Sequence, residues 1–394
     1  MNYLCAVDNF FYDQPNGVSR VAIDTAFLMR DHGHRVTMLC QKGYAANNAD
    51  PVTEYDGIRV IKCNNINIRC FPHGPIWSNS AKFYVKKYLS NETFDVVHIH
   101  SLFTGKGVMQ ALGDSTRYIY TVHSPVVLEQ SINWLHQGLA GKAKLAIGLN
   151  YFKKLENHML NAASGIHVLS QFTKNEIQRF HGQLNNICVI PHWAKQKHEH
   201  NMTKQKARQI LNWPEKMPIL FTVRNHIPRT GLDVAIQAMA PLTINDSCLF
   251  VVAGDGPLRK TLQQQAIKEG TGPSQILFTG HLTEKQLNLA YQAADMFILP
   301  TSELECFGLI ILEALGYGCP VIASNVGAIP EILDPILPDF IIPPNQPGQL
   351  RAKVKDWLDS KILSPGENNL INYVQQRFDR EIIGGKIVDF IAES

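Results

Sequence analysis

Short apolar runs alternate with helical stretches along most of this chain, and that rhythm limits the fold class before any motif is considered. Residues 3–7 read as a strand, and residues 18–31 as a helix with apolar side chains at 18, 21, 22, 26, 28 and 29. Gly33-His34 breaks that helix, and residues 36–40 form the next strand. Residues 96–99, 118–122 and 165–169 continue the series. A second series runs through residues 219–223, 249–253, 275–278, 296–299 and 321–323. Runs that are apolar throughout, bounded by turns and separated by helices, are what a parallel sheet covered on both faces requires. The expectation is α/β, with two doubly wound domains of five or six strands each.

A chain of 394 residues is too long for one ordinary core, which agrees with two domains. The break is expected between residues 191 and 214, in the polar, aperiodic tract 195–201. That gives a first domain of residues 1–194 and a second of 195–375, with 376–394 packing back on the first. His198 and His200 in the tract read as solvated linker residues rather than metal ligands. The pattern of residues 368–394 is helical.

No run of about 18 apolar residues occurs, so no spanning helix is expected. Met1–Val7 leads into a strand pattern without the basic start and long apolar centre of a signal peptide, which favours a cytoplasmic protein. The eight cysteines form no C-x-x-C and sit mostly in apolar runs, as reduced packing residues do. The net charge of +3 gives no reason to expect a nucleic-acid partner, but it is uneven. Residues 1–195 hold 19 Lys/Arg against 13 Asp/Glu, and the remainder 18 against 21. The first half therefore leans toward an anionic acceptor or lipid surface, with ordinary surface variation as the alternative. Residues 134–160 combine Trp134, Leu135, Leu139, Tyr151 and Phe152 with Lys142, Lys144, Lys153 and Lys154. Packing on its own domain is favoured there over a peripheral contact with an anionic membrane.

The richest stretch runs from Ser302 to Leu315. Glu305 and Glu313 lie eight positions apart around the start of an apolar helix, with Glu305 just before it. Free N–H groups at such a start can receive a diphosphate. Glutamates there also favour the helix dipole without any ligand. Gly316, Gly318 and Pro320 follow, then an apolar strand, then Gly327-Ala328-Ile329-Pro330-Glu331.

Glu305-x7-Glu313 with Gly-x-Pro-Val and Gly-x-x-Pro-Glu resembles the retaining GT-B glycosyltransferases of family 4. The resemblance extends over Asn16-Gly17-Val18, Gly33-His34-Arg35-Val36, the strand ends at His98-Ile99-His100 and Val122-His123-Ser124, Val189-Ile190-Pro191, Ala253-Gly254-Asp255-Gly256-Pro257 and Phe278-Thr279-Gly280-His281-Leu282. It implies two facing Rossmann-like domains with a C-terminal helix crossing back to the first. It places the nucleotide-sugar donor on the second domain and the acceptor on the first. It implies that Glu313 bonds the ribose hydroxyls and that Glu305 meets the transferred sugar or its phosphate neighbourhood. The amides of Gly308, Leu309 and Ile310 would cradle the diphosphate, and the backbone around His281 and Leu282 would meet the base. Arg224 matches the family's arginine, whereas the family's lysine falls at Thr230, so Arg229 is the candidate to replace it. His123 would contact sugar or acceptor, with His98 and His100 as candidates of lower rank, and Gly17, a donor-binding candidate, would let the first loop approach the donor or acceptor.

The implied reaction moves a sugar from a nucleoside diphosphate, UDP by preference, to a hydroxyl, with retention. The acceptor would be a glycan, a lipid-linked saccharide or a small molecule, and the place the cytoplasm or the inner face of the membrane. No metal or cofactor is expected, since Asp-x-Asp is absent and arginines would offset the leaving charge. Three alternatives remain: an NAD-dependent dehydrogenase, whose G-x-G-x-x-G is missing after the first strand; a related epimerase or phosphorylase; and a donor-binding protein without turnover.

Overall fold

The computed structural model describes residues 1–41, 50–63, 73–194, 202–245 and 247–394, without the side chains of 73–75, 143, 146 and 147. The tract 195–201, with His198 and His200, lies outside the described residues. The chain divides into two compact units, Met1–His192 with Glu381–Ser394, and Trp193–Arg380.

The first unit contains β1 (Asn2–Asn9), β2 (Arg35–Gln41), β3 (Val52–Tyr55), β4 (Ile58–Cys63), β5 (Val96–Ile99), β6 (Tyr118–Val122), β7 (Gly165–Val168) and β8 (Ile187–Val189). They form one sheet in the order β3-β4-β2-β1-β5-β6-β7-β8, parallel except for the edge pair β3–β4. Leu4, Ala6, Leu39, Ile61, Val97, Ile99 and Val122 pack beneath the covering helices as one core. The last helix, Arg380–Glu393, belongs to this unit: Phe390 lies against the His167 ring, and the Arg117 guanidinium donates to the Ile391 carbonyl.

The second unit contains β9 (Ile219–Val223), β10 (Leu249–Ala253), β11 (Ile276–Gly280), β12 (Met296–Leu299), β13 (Val321–Ser324) and β14 (Ile341–Ile342). Their order is β11-β10-β9-β12-β13-β14, parallel throughout. Strands β10 and β12 are buried along their whole length, as expected for strands covered on both faces. Both units are thus doubly wound and Rossmann-like, the GT-B domain type.

Four strands escape the sequence reading: β3, β4, β8 and β14. The C-terminal stretch is two helices, Glu367–Arg377 and Arg380–Glu393, interrupted at Phe378. Residues 134–160 belong to helices Val126–Leu135 and Gly138–Ala162. Trp134 and Phe152 are buried in the first core, while Leu135 and Leu139 are exposed. No helix among the described residues is long and apolar enough to cross a membrane.

Candidate functional site

The second sheet reverses its order between β9 and β12. From there the chain winds outward through β10 and β11 on one side and through β13 and β14 on the other. Loops leaving neighbouring strand ends part at such a point, and a ligand can enter between them. Arg224 is the first residue after β9, and the loop carrying Glu305 follows β12. Arg224 Nη1 donates to Glu305 Oε2 at 2.8 Å, with side-chain exposures of only 8% and 18%.

Glu305 stands just before a helix, where the sequence places it. The helix is Leu309–Gly316, and Gly308 caps it at φ +98°. Glu305 therefore stands in the preceding loop, held by its backbone. Its carbonyl accepts the Ala328 N–H at 2.9 Å. A Cβ at Gly327, where φ is +60°, would lie 2.0 Å from that same oxygen. The glycine of Gly-x-x-Pro-Glu thus lets the two loops touch. Gly327→Ala is expected to cost about 1–3 kcal/mol through the clash and the left-handed backbone. A urea midpoint equal to that of the parent would show that the loops can part without cost.

The helix start carries the anion-binding features. Ile311 N–H is bonded to the Gly308 carbonyl at 2.9 Å. The amides of Leu309 and Ile310 have no intramolecular acceptor among the described residues. Both residues are half-buried, and the amides lie where a helix dipole favours negative charge. On this helix Glu313 receives the Tyr291 hydroxyl at 2.8 Å. Tyr291 is 1% exposed, and burial keeps its phenol well above the ordinary range, so it remains a donor. One carboxylate oxygen of Glu313 is fixed by that bond.

Thr230 is not available as a ligand contact. It is 3% exposed, and its hydroxyl faces the carbonyls of Asn225 at 3.0 Å and Ile227 at 2.7 Å. It locks the loop that follows Arg224. Arg229 Nη1 donates to the Leu304 carbonyl at 3.1 Å, tying this loop to the residue before Glu305. His281 is exposed and Leu282 half-buried in the turn after β11, which leads into a helix capped by Thr283.

In the first unit the reversal falls between β1 and β5. Gly17 is exposed and opens helix Gly17–Asp31, whose start is closed by a reciprocal Asn16–Ser19 cap. His123 follows β6, and its Nε2 lies 3.1 Å from His100 Nδ1. Asp8, near the end of β1, accepts the Thr104 hydroxyl at 2.6 Å, and burial pushes its carboxyl up to about 6. Glu156, fully buried, accepts the Val126 N–H at 2.7 Å and faces His181 Nε2 at 2.9 Å, which anchors the segment after His123.

A polar chain crossing this sheet was invisible in the sequence. Tyr3 Oη lies 2.6 Å from His98 Nδ1, and His98 Nε2 lies 2.6 Å from Thr121 Oγ1. Thr121 Oγ1 is 3.0 Å from His167 Nδ1, and His167 Nε2 is 2.7 Å from the Ile190 carbonyl. Its only trace in the sequence is a histidine or hydroxyl residue inside otherwise apolar strands.

Residues 203–377 match the profile of the family described as glycosyl transferases group 1. Residues 15–194 match the one described as glycosyltransferase family 4. A phosphatidyl-myo-inositol mannosyltransferase of Mycobacterium tuberculosis is 22% identical over 391 residues, 96% of this chain and 93% of the relative. A sulfoquinovosyl transferase of Arabidopsis thaliana is 30% identical over 177 residues, 43% of this chain, and the match spans only 29% of that relative. The Anabaena protein HepE, solved in complex with UDP-glucose, superposes with a TM-score of 0.76 at 18% identity, covering 100% of both chains.

Proposed function

The chain belongs to glycosyltransferase family 4, and on that premise we propose that it transfers a sugar from a UDP-sugar to a hydroxyl acceptor with retention at the anomeric carbon. The observation that carries the proposal is the Arg224–Glu305 pair at the β9/β12 reversal, with the two available amides of Leu309 and Ile310 in the same segment. An anion seated on those amides would bring its charge to the helix start, and the Arg224 guanidinium would share it. The choice of UDP is supported by the UDP-glucose held by the Anabaena neighbour.

In this reading Glu313, steadied by Tyr291, takes the ribose hydroxyls, and the turn at His281 and Leu282 takes the base. Glu305 orients the sugar while pairing with Arg224. Arg224 and Arg229 supply the positive charge that the leaving diphosphate needs, in place of a metal. The donor phosphate accepts the acceptor's proton, so the protein's share is positioning and charge stabilisation. The acceptor belongs to the first unit, at His123 and the Gly17 loop. Exposed Leu135, Leu139 and Tyr151, with exposed Lys142, Lys153 and Lys154 in the same two-helix segment, support a lipid-linked acceptor at the cytoplasmic face of a membrane.

The test is nucleoside diphosphate release from UDP-, GDP- and ADP-sugars with lipid-linked, oligosaccharide and small-alcohol acceptors, followed by the anomeric configuration of the product. An inverted product would rule out retention. Thermal stabilisation by a donor without release under any condition would make this a binding protein. Glu313→Ala is expected to raise the Kd for UDP about tenfold, the value of one charged hydrogen-bonding partner. Calorimetry giving an unchanged Kd would remove Glu313 from the ribose.

A further inference from the structure

We infer that His100 is a positioning residue that fixes the tautomer of His123, so that His123 meets the acceptor as a hydrogen-bond donor through Nδ1–H and not as a base. The role at the acceptor rests on the function proposed above; the tautomer itself does not.

Two ring nitrogens, His100 Nδ1 and His123 Nε2, face each other at 3.1 Å, so one of them carries the proton. His100 is 4% exposed, and its Nε2 is buried without a hydrogen-bonding partner among the described residues. A buried N–H with no acceptor is costlier than a buried lone pair with no donor. The His100 proton therefore sits on Nδ1 and is donated to His123 Nε2. The proton of a neutral His123 is then on Nδ1, the nitrogen that does not face His100. His123 retains some exposed surface, so a ligand can reach it.

His100 is held by the polar chain beside it. Its ring lies 4.2 Å from that of His98, centre to centre. Every proton along that chain follows from the Ile190 carbonyl, which can only accept. His167 donates to it from Nε2, so His167 Nδ1 accepts the Thr121 hydroxyl. Thr121 Oγ1 in turn accepts His98 Nε2–H, and His98 Nδ1 accepts the Tyr3 hydroxyl. His98 is thereby fixed in one orientation against His100. Burial and the neighbouring imidazoles hold His98 and His100 well below the usual histidine range, and bring His123 to about 3 and His167 to about 4. All four are neutral at pH 7. Without a lone pair toward the acceptor, His123 can orient a hydroxyl oxygen but cannot take its proton, which agrees with a phosphate as the base.

The test is long-range 1H–15N correlation spectroscopy of the full-length, [15N]histidine-labelled protein without ligand, with His123 identified by loss of its signals in His123→Asn. Protonated Nδ1 and bare Nε2 are expected for His123; the reverse pattern overturns the inference. His100→Phe should redistribute the His123 proton between the two nitrogens and lower kcat about tenfold at unchanged donor KM. His100→Asn, whose amide N–H can replace Nδ1–H, should restore the Nδ1–H form. A Phe variant with the parental His123 pattern, or an Asn variant that fails to restore it, overturns the inference. If the Phe variant does not fold, the parental spectrum and the Asn variant still decide. Absence of turnover with every donor would refute the glycosyltransferase reading, while the spectrum of the free protein would still judge the tautomer.

Discussion

Arg224→Ala is expected to lower kcat by roughly 10²–10³-fold, the usual loss when one preorganised group stabilising transition-state charge is removed. Arg224 is 8% exposed at the side chain and fixed by Glu305, so it need not reorganise when charge develops on the leaving diphosphate. Arg224→Lys should recover little. An ammonium cannot hold a carboxylate with one arm of a planar fork and offer the other to phosphate. Folding should lose about 1–3 kcal/mol, far less than the loss in kcat, because the pair is mostly buried and Glu305 is left without its partner. The measurement is steady-state kinetics beside a thermal melt. Parental kcat at parental melting temperature would remove Arg224 from the chemistry. A matching loss of both would make it a structural residue. Arg224→Ala and Glu305→Ala should not add, since each removes the partner of the other.

How much of this was legible in the sequence depended on the range over which the information acts. Strands β1, β2, β5, β6 and β7 in the first unit, and β9 to β13 in the second, announce themselves as apolar runs because both their faces are covered. Strand β3 does not: three of its four residues are exposed at the sheet edge. Strand β14 has only two residues, and β8 has no fully buried one. The exact start of the helix at Leu309 has no mark in the sequence, because Gly308, in the left-handed region, ends an irregular turn without periodicity. Arg224 and Glu305 were each legible from local motifs, but their pairing spans 81 positions and depends on β9 lying beside β12. The burial of Thr230 was hidden for a similar reason: its hydroxyl's acceptors are backbone carbonyls, which carry no sequence signal. The Tyr3–His98–Thr121–His167 chain needs four strands in register before it exists at all.

That chain predicts a protein that loses stability in mild acid. In the unfolded state each of its histidines, and His100 and His123, would titrate near 6.5, whereas in the fold His167 titrates at about 4, His123 at about 3, and His98 and His100 well below the usual range. Between those values the unfolded chain binds protons that the folded chain refuses. Stability is therefore fully present above about pH 6.5 and is lost progressively as pH falls toward 4. For His167 alone, the interval from 6.5 to about 4 corresponds to roughly 3 kcal/mol. That is a large share of a typical total of about 5–15 kcal/mol. Asp8 acts in the opposite sense, since its carboxyl is raised from 3.8 to about 6 and the fold keeps a proton there that the unfolded chain releases. It is one group against four, so the histidines set the sign. Urea denaturation followed by tryptophan fluorescence should show the midpoint of the first unit falling from pH 7 to pH 5. His167→Gln should flatten that slope by about one proton, whatever it does to stability at pH 7. A midpoint constant from pH 7.5 to 5 would mean that these imidazoles take up protons inside the fold, and the neutral, single-tautomer chain would have to be abandoned.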